Sequence, residues 1–368
     1  MNNINSSQRY LVNVENRQRY LFLDNKQYLN LSSNDYLGLS DVVLQQEFLE
    51  TCEPFTYFAL SNPSSRLMTG NSNCYAVLEQ SIARLFGREA ALVLSSGYLV
   101  NSTLIGALAS NRDLIIADKL VHASMIDGIK LSGCDFERFR HNDMNHLRKI
   151  LQLRRAKHEN VYILAESIYS MDGDVAPLSE LVAIKNEFDC KIYLDEAHAF
   201  GVRGQRGGGL AQQMCLDDEI DIIVATLGKA AASQGGFVVC SNAIKQTLVN
   251  KMRGLIFSTA ISDVSLRWSN FIIERMASLN DRREALASLS RKCAEKLSVE
   301  CESHIFAYVL GSNEKAVEVQ LKLRECGYWV NAIRYPTVPK GSERLRISLN
   351  AQMCDREIEG FIECLKSL

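Results

Sequence analysis

Lys229 sits in the small-residue run Ala225-Thr-Leu-Gly-Lys-Ala-Ala-Ala-Ser-Gln-Gly-Gly236, downstream of the apolar segment Ile192-Tyr-Leu-Asp-Glu-Ala-His198. Its amine can form a Schiff base. Asp195, at the end of an apolar strand, can face a protonated ring nitrogen, and His198 can reach a phenolate oxygen of the same ring. Thr226 adds a hydroxyl suited to a phosphate. Ser95-Ser-Gly97-Tyr98 adds a turn between an apolar strand and a helix opening near Leu99, where backbone N–H groups and the helix dipole favour an anion. Taken alone that turn is an ordinary strand-to-helix connection. Together, these groups are what pyridoxal phosphate requires of a protein.

Two competing readings fail on spacing. Asp-Glu-Ala-His also occurs on the Walker B strand of helicase-type ATPases, but such folds need G-x-x-x-x-G-K-[ST] earlier in the chain. Gly228-Lys229 lies downstream, is followed by Ala230, and has Ile223 where the first Gly belongs. The run Gly201-Val-Arg-Gly-Gln-Arg-Gly-Gly-Gly209 is too long and wrongly spaced for a dinucleotide loop, and reads as a flexible loop near the site. His122, just past another apolar strand, could stack on a ring face, although a lone His there is more often structural. His141 and His146 stand five apart, a spacing that suits neither helix-face pairing nor the common zinc patterns; they read as structural, and no metal site is expected.

Short apolar runs must hold these groups: Ala90–Leu94, Leu114–Ala117, Val161–Ala165, Lys191–Leu194, Ile222–Ala225 and Gly236–Cys240 read as buried strands. Helical patterns such as Tyr75–Phe86 and Leu178–Phe188 lie between most of them. Continuous apolar strands with helical crossovers imply a mostly parallel sheet covered on both faces, with ligands beyond the carboxyl ends of its strands. The organisation expected is an N-terminal segment over 1–40, a large domain over 41–262 and a smaller α+β domain over 263–368. A formal charge of −2 advertises neither nucleic acid nor an anionic membrane as partner. Eleven scattered cysteines without a C-x-x-C pair read as reduced thiols. No signal peptide and no membrane span is expected, and the reading is a cytoplasmic protein.

Joined in this order, the segments resemble the α-oxoamine synthases, pyridoxal-phosphate enzymes of fold type I (aspartate-aminotransferase-like). The resemblance runs from about Arg9 to the C-terminal helix. It is carried also by Tyr28-Leu-Asn-Leu-Ser-Ser-Asn-Asp-Tyr-Leu-Gly38, Arg138-Phe-Arg-His-Asn-Asp143, Ser170-Met-Asp-Gly-Asp-Val-Ala-Pro177, Val330-Asn-Ala-Ile-Arg-Tyr-Pro-Thr-Val-Pro339 and Arg344-Leu-Arg-Ile-Ser348. It implies that Lys229 carries the cofactor, Asp195 pairs with the pyridinium, His198 bonds the phenolate oxygen and His122 stacks on the ring. Gly97 and Tyr98 would hold the phosphate by their backbone, assisted by Ser170 and Thr226. Asn34 and Arg346 look like substrate contacts, Arg346 suited to a carboxylate. Arg9 and Thr337 match positions linked to an acyl substrate. Ser258 and Thr259 match a segment that reaches the partner subunit's phosphate, implying a homodimer with shared active sites.

The activity implied is condensation of L-alanine with a pimeloyl thioester carried by coenzyme A or an acyl carrier protein. The alternatives are a glycine and acetyl-CoA enzyme, another long-chain acyl condensation, and a regulator that kept the fold without the chemistry. Several positions depart from the family pattern: Leu60-Ser-Asn-Pro-Ser-Ser-Arg66, Tyr75, Glu196, Ala199, Ala230-Ala-Ala232 and Ser262-Asp263. None removes a catalytic group. They bear on the shape of the acyl tunnel.

Overall fold

The structure is a computed structural model that describes residues 11–52, 60–300 and 302–368. Its contacts divide the chain into two compact units. The larger comprises Phe48–Tyr169 and Val175–Asn280; the smaller comprises the chain up to Glu47, Ser170–Asp174 and Asp281–Leu368.

Runs of Val, Ile, Leu and Ala with no polar alternation cannot leave either face in water, so they pair at the centre of a sheet. In the larger unit six such runs and one charged edge strand form a seven-stranded sheet in the order Ala90–Leu94, Gly236–Cys240, Ile222–Thr226, Lys191–Asp195, Val161–Glu166, Leu114–Asp118 and Asp135–Phe139. Gly236–Cys240 alone is antiparallel to its neighbours; the other six share one direction. The edge strand Asp135–Phe139 was not among the expected strands. Its charged and mostly exposed residues suit an edge, where one face and one row of backbone groups meet solvent. Val100, Leu104 and Ile105 of the helix Gly97–Leu108 and Met125 and Ile129 of the helix Ala123–Ser132 join the sheet's Leu92, Ile115 and Leu164 in one buried core.

The smaller unit holds two sheets. Glu15–Arg17, Tyr20–Leu23 and Lys26–Asn30 form a meander that Tyr328–Trp329 joins in parallel; Ile305–Val309, Arg344–Ser348 and Asn331–Ile333 form an antiparallel sheet. Residues 11–40 of the N-terminal segment thus lie in this unit. The boundary expected at 263 also moves. The helix Asp263–Met276 belongs to the larger unit, because Ser72 Oγ donates to Asp263 Oδ1 at 2.6 Å, Trp268 Nε1 donates to Ala232 O at 3.1 Å, and Ser233 and Ser269 share a hydroxyl hydrogen bond of 2.7 Å. The smaller unit resumes at Asp281.

Candidate active site

Because six of the seven strands run one way, the segments after Leu94, Asp118, Glu166, Asp195 and Thr226 leave the same edge of the sheet. Asp195 ends its strand level with Glu166 and is buried. Its Oδ1 accepts from Ala197 N at 2.9 Å and its Oδ2 from Asn101 Nδ2 at 2.7 Å. Both donors are neutral, and Asp195 has no ion-pair partner among the described residues. A buried carboxylate in that position calls for a cation. The chain then coils tightly, with Ala199 N and Phe200 N donating to Glu196 O at 2.9 and 2.7 Å, and carries the buried His198 forward.

Lys229 is held on a hairpin. Thr226 and Gly236 lie opposite each other, Leu227 N donates to Gly235 O at 2.9 Å, Ser233 N to Leu227 O at 2.9 Å and Ala232 N to Lys229 O at 2.8 Å. From that loop Lys229 Nζ lies 2.7 Å from His198 Nε2. One of the two nitrogens must offer a lone pair, so the pair carries fewer than its full complement of protons. Thr226 Oγ1 donates to Gly235 O at 2.9 Å and accepts from Gly228 N at 3.1 Å. It lies next to Gly97, where an added Cβ would meet Thr226 Cβ at 3.2 Å. Gly236 is required by its neighbour, since a Cβ there would come within 2.4 Å of Gly97 N. Ser96 caps this helix, its Oγ accepting from Leu99 N at 3.1 Å and its carbonyl from Val100 N at 3.1 Å. Those bonds take the third and fourth N–H of the helix; the first two belong to Gly97 and Tyr98. The Tyr98 ring is exposed and its hydroxyl donates to Asp127.

His122 has two tasks. It is the N-cap of the helix Ala123–Ser132: Ser124 N donates to its Nδ1 at 3.2 Å, and Ser124 Oγ lies 2.7 Å from the same nitrogen. Burial holds its pKa below the ordinary imidazole range; Lys229 pushes the same way and Asp195 opposes. His141, read as structural, hydrogen-bonds the buried Asp118 at 2.9 Å and meets the Tyr169 ring edge-on at 4.5 Å. Ser258 is half-buried and Thr259 exposed beside Ser65, to which Thr259 forms an isolated bridge.

Within the smaller unit Arg346 Nε donates to Ser170 O at 2.6 Å, Nη1 to Ser348 Oγ at 2.8 Å, and both terminal nitrogens approach Asn34 Oδ1 at 3.4 Å. Tyr36 OH donates to the same Asn34 oxygen at 2.9 Å, and burial pushes that phenol up to about 12. Every partner of Arg346 is neutral, so its charge is unmatched among the described residues. Asn34, Ser170 and Arg346 are therefore brought together, with the Ser170 carbonyl as the contact. Thr337 is exposed and its N–H closes a turn onto Arg334 O at 2.8 Å. Arg9 lies outside the described residues.

Glu196, where the family has Asp, does not face the cofactor groups. Its carboxylate accepts from Leu210 N at 3.0 Å and Ala211 N at 2.8 Å, and the backbone of Gly209 (φ 106°) passes so close that a Cβ there would lie 2.6 Å from Glu196 Cδ. The glycine run expected as a flexible loop is thus folded around a buried carboxylate. Burial raises Glu196 to about 7 from 4.5, with Asp195 adding and the Ala211, Ser167 and Leu210 hydrogen bonds opposing. A carboxyl raised in the folded state gives stability that is fully present below its unfolded pKa and is lost as pH rises through its folded one. The thermal midpoint should therefore decline by a few degrees as pH rises from about 4.5 to about 7, and Glu196→Gln should flatten that segment of the curve in a calorimetric pH series.

Sequence reasoning missed Asn101. The available signal was a lone amide among the apolar residues of Leu99-Val-Asn-Ser-Thr-Leu-Ile105.

With this geometry in place, comparison with known proteins is decisive about class. The model of the aminotransferase class I and II family matches residues 26–365. The chain belongs to that family and, within it, is a pyridoxal-phosphate-dependent acyltransferase of the α-oxoamine synthase group, with the type I fold. It is similar to the 8-amino-7-oxononanoate synthase of Haemophilus ducreyi, 44% identical over 97% of this chain and 96% of that protein. A serine palmitoyltransferase from S. paucimobilis, solved with bound PLP, superposes with a TM-score of 0.90 at 27% identity, covering 97% of this chain and 91% of that one. The 8-amino-7-oxononanoate synthase structure from Francisella tularensis gives 0.76 at 25% identity, covering 92% and 97%. No described helix is long and apolar enough to cross a membrane.

Proposed function

We propose that the protein condenses L-alanine with a pimeloyl thioester, releasing carbon dioxide and the thiol carrier to give 8-amino-7-oxononanoate in biotin biosynthesis, and that it does so in the cytoplasm as a homodimer. The observation that carries the amino-acid half is Arg346, a guanidinium held only by neutral acceptors beside Asn34. Such a fork is made for a carboxylate. The acyl half rests on the 44% identity to a relative bearing that activity's name.

The residues fit pyridoxal phosphate on their own terms: a buried carboxylate lacking a cation, an amine resting on an imidazole, and a helix N-terminus beside Thr226. Asp195 would hold the ring nitrogen, His198 the phenolate oxygen, His122 the ring face, and Gly97, Tyr98, Thr226 and Ser170 would serve the phosphate end. When bound, the cofactor supplies an electron sink for the carbanion at the amino acid's Cα. The chain's own residues do the rest. Lys229 Nζ takes the α-proton and returns one after decarboxylation, and it must be neutral to do so. Its contact with His198 gives that proton a neighbouring nitrogen. Arg346 and Asn34 would fix the amino acid's carboxylate, Thr337 and Arg9 would meet the acyl chain, and Ser258 and Thr259 would reach the partner subunit's phosphate.

The serine palmitoyltransferase likeness favours a second reading, condensation of a longer acyl chain. Incubating the protein with alanine, glycine or serine against pimeloyl, acetyl and palmitoyl thioesters, and weighing the products, separates the two. Alanine with the pimeloyl thioester should give the product mass of 8-amino-7-oxononanoate. Turnover with palmitoyl and not pimeloyl thioester would overturn the reading, and no product with any pair would leave a regulator.

A further inference from the structure

Asn101 is 4% exposed, on the first turns of the helix Gly97–Leu108, and each atom of its amide has a partner. Its Nδ2 donates to Asp195 Oδ2 at 2.7 Å and to Ser124 Oγ at 3.0 Å, while its Oδ1 accepts from the hydroxyl of Tyr193. Ser124 Oγ, having accepted from Asn101, is left with its own proton for His122 Nδ1, 2.7 Å away. The chain of donors has one direction only. Tyr193 is fully buried and burial drives its phenol well above its ordinary value, so it keeps its proton. Both Asp195 oxygens accept, which turns the amide's NH2 toward it and leaves Oδ1 to the Tyr193 hydroxyl, whereas the flipped amide would set a carbonyl oxygen against the carboxylate. Ser124 in turn makes His122 Nδ1 an acceptor and leaves the imidazole proton on Nε2.

We propose that Asn101 is a positioning residue that fixes the Asp195 carboxylate and the His122 ring together, with the Tyr193 hydroxyl holding its carbonyl. This rests on the reading of Asp195 as the partner of the cofactor's ring nitrogen. Through one amide, the group that charges the ring and the group that covers its face are held in a single register. Removing the amide leaves a buried carboxylate short of one charge-assisted hydrogen bond and frees the Ser124 hydroxyl, one of the two donors at His122 Nδ1.

The test uses Asn101→Leu, Tyr193→Phe and Asp195→Asn, with three readouts: the dissociation constant of pyridoxal phosphate by equilibrium dialysis, the 15N shift of cofactor labelled at the ring nitrogen, and the 15N shift of His122 Nδ1 in cofactor-free protein. Asn101→Leu should weaken cofactor binding roughly tenfold or more and move the ring-nitrogen shift toward the neutral form. It should lower kcat by about two orders of magnitude while KM for the amino acid stays within about threefold, and should move the His122 Nδ1 resonance as the Ser124 hydroxyl is freed. Tyr193→Phe should move every readout the same way by less. A folded Asn101→Leu with unchanged ring-nitrogen shift, affinity and His122 Nδ1 shift would overturn the proposal. Should that variant fail to fold, Tyr193→Phe decides on the same three readouts. If Asp195→Asn leaves the ring-nitrogen shift untouched, the assignment of Asp195 itself has failed; if it moves the shift and Asn101→Leu does not, only the role of Asn101 has.

Discussion

Lys229→Ala should abolish product formation and with it the covalent hold on the cofactor. Borohydride treatment of the native protein followed by peptide mass spectrometry should find one cofactor fixed to Lys229, and none anywhere on the variant. The loss of turnover should exceed about a thousandfold, because in the proposed function the amine serves as both anchor and base and general-base contributions alone reach about 10²–10⁴-fold. Binding should survive in weakened form, since Asp195 and the N–H groups at Gly97 and Tyr98 are untouched. His198 then loses its 2.7 Å neighbour, so its NMR titration should shift between native and variant cofactor-free protein. A variant that still turned over within tenfold of native would remove Lys229 from the mechanism.

Arg346→Met should raise KM for the amino acid by about two orders of magnitude, the loss of a bidentate charge-assisted contact, with a smaller effect on the acyl thioester. Arg346→Lys should recover little. A compact ammonium cannot at once reach Ser170 O, Ser348 Oγ and the Asn34 oxygen, and it offers a point charge where the native side chain offers a fork. Initial-rate measurements with each substrate varied at saturation of the other check this directly. Equal losses for both substrates would indicate damage to the smaller unit rather than loss of a carboxylate contact.

Much of this architecture is written in local pattern. The six apolar runs are strands because burial on both faces leaves no room for alternation, and their carboxyl ends carry Gly97, His122, Asp195, His198 and Thr226 for the same reason. What escaped was set by distant partners. Asp135–Phe139 reads as a charged surface stretch until a neighbouring strand is known. Lys26–Asn30 carries a lysine, a glutamine and an asparagine; it pairs with Tyr20–Leu23 beside it and also with Tyr328–Trp329 near the other end of the chain. Asn101 meets Asp195 across 94 positions of sequence, and Glu196 differs from its family counterpart by a methylene whose purpose shows only where Leu210 and Ala211 turn back on it. The lysine's motif was legible because its chemistry is local; the geometry that disciplines it was not.

The reversed strand Gly236–Cys240 gives the reactive amine a fixed tether. With Thr226 and Gly236 locked opposite each other, the intervening loop works as a ruler whose two ends are nailed to the same sheet. Its length sets how far the amine extends from the sheet's edge. One added residue would move that amine off His198 while leaving every strand in register, giving a protein that folds normally and holds its catalyst out of reach.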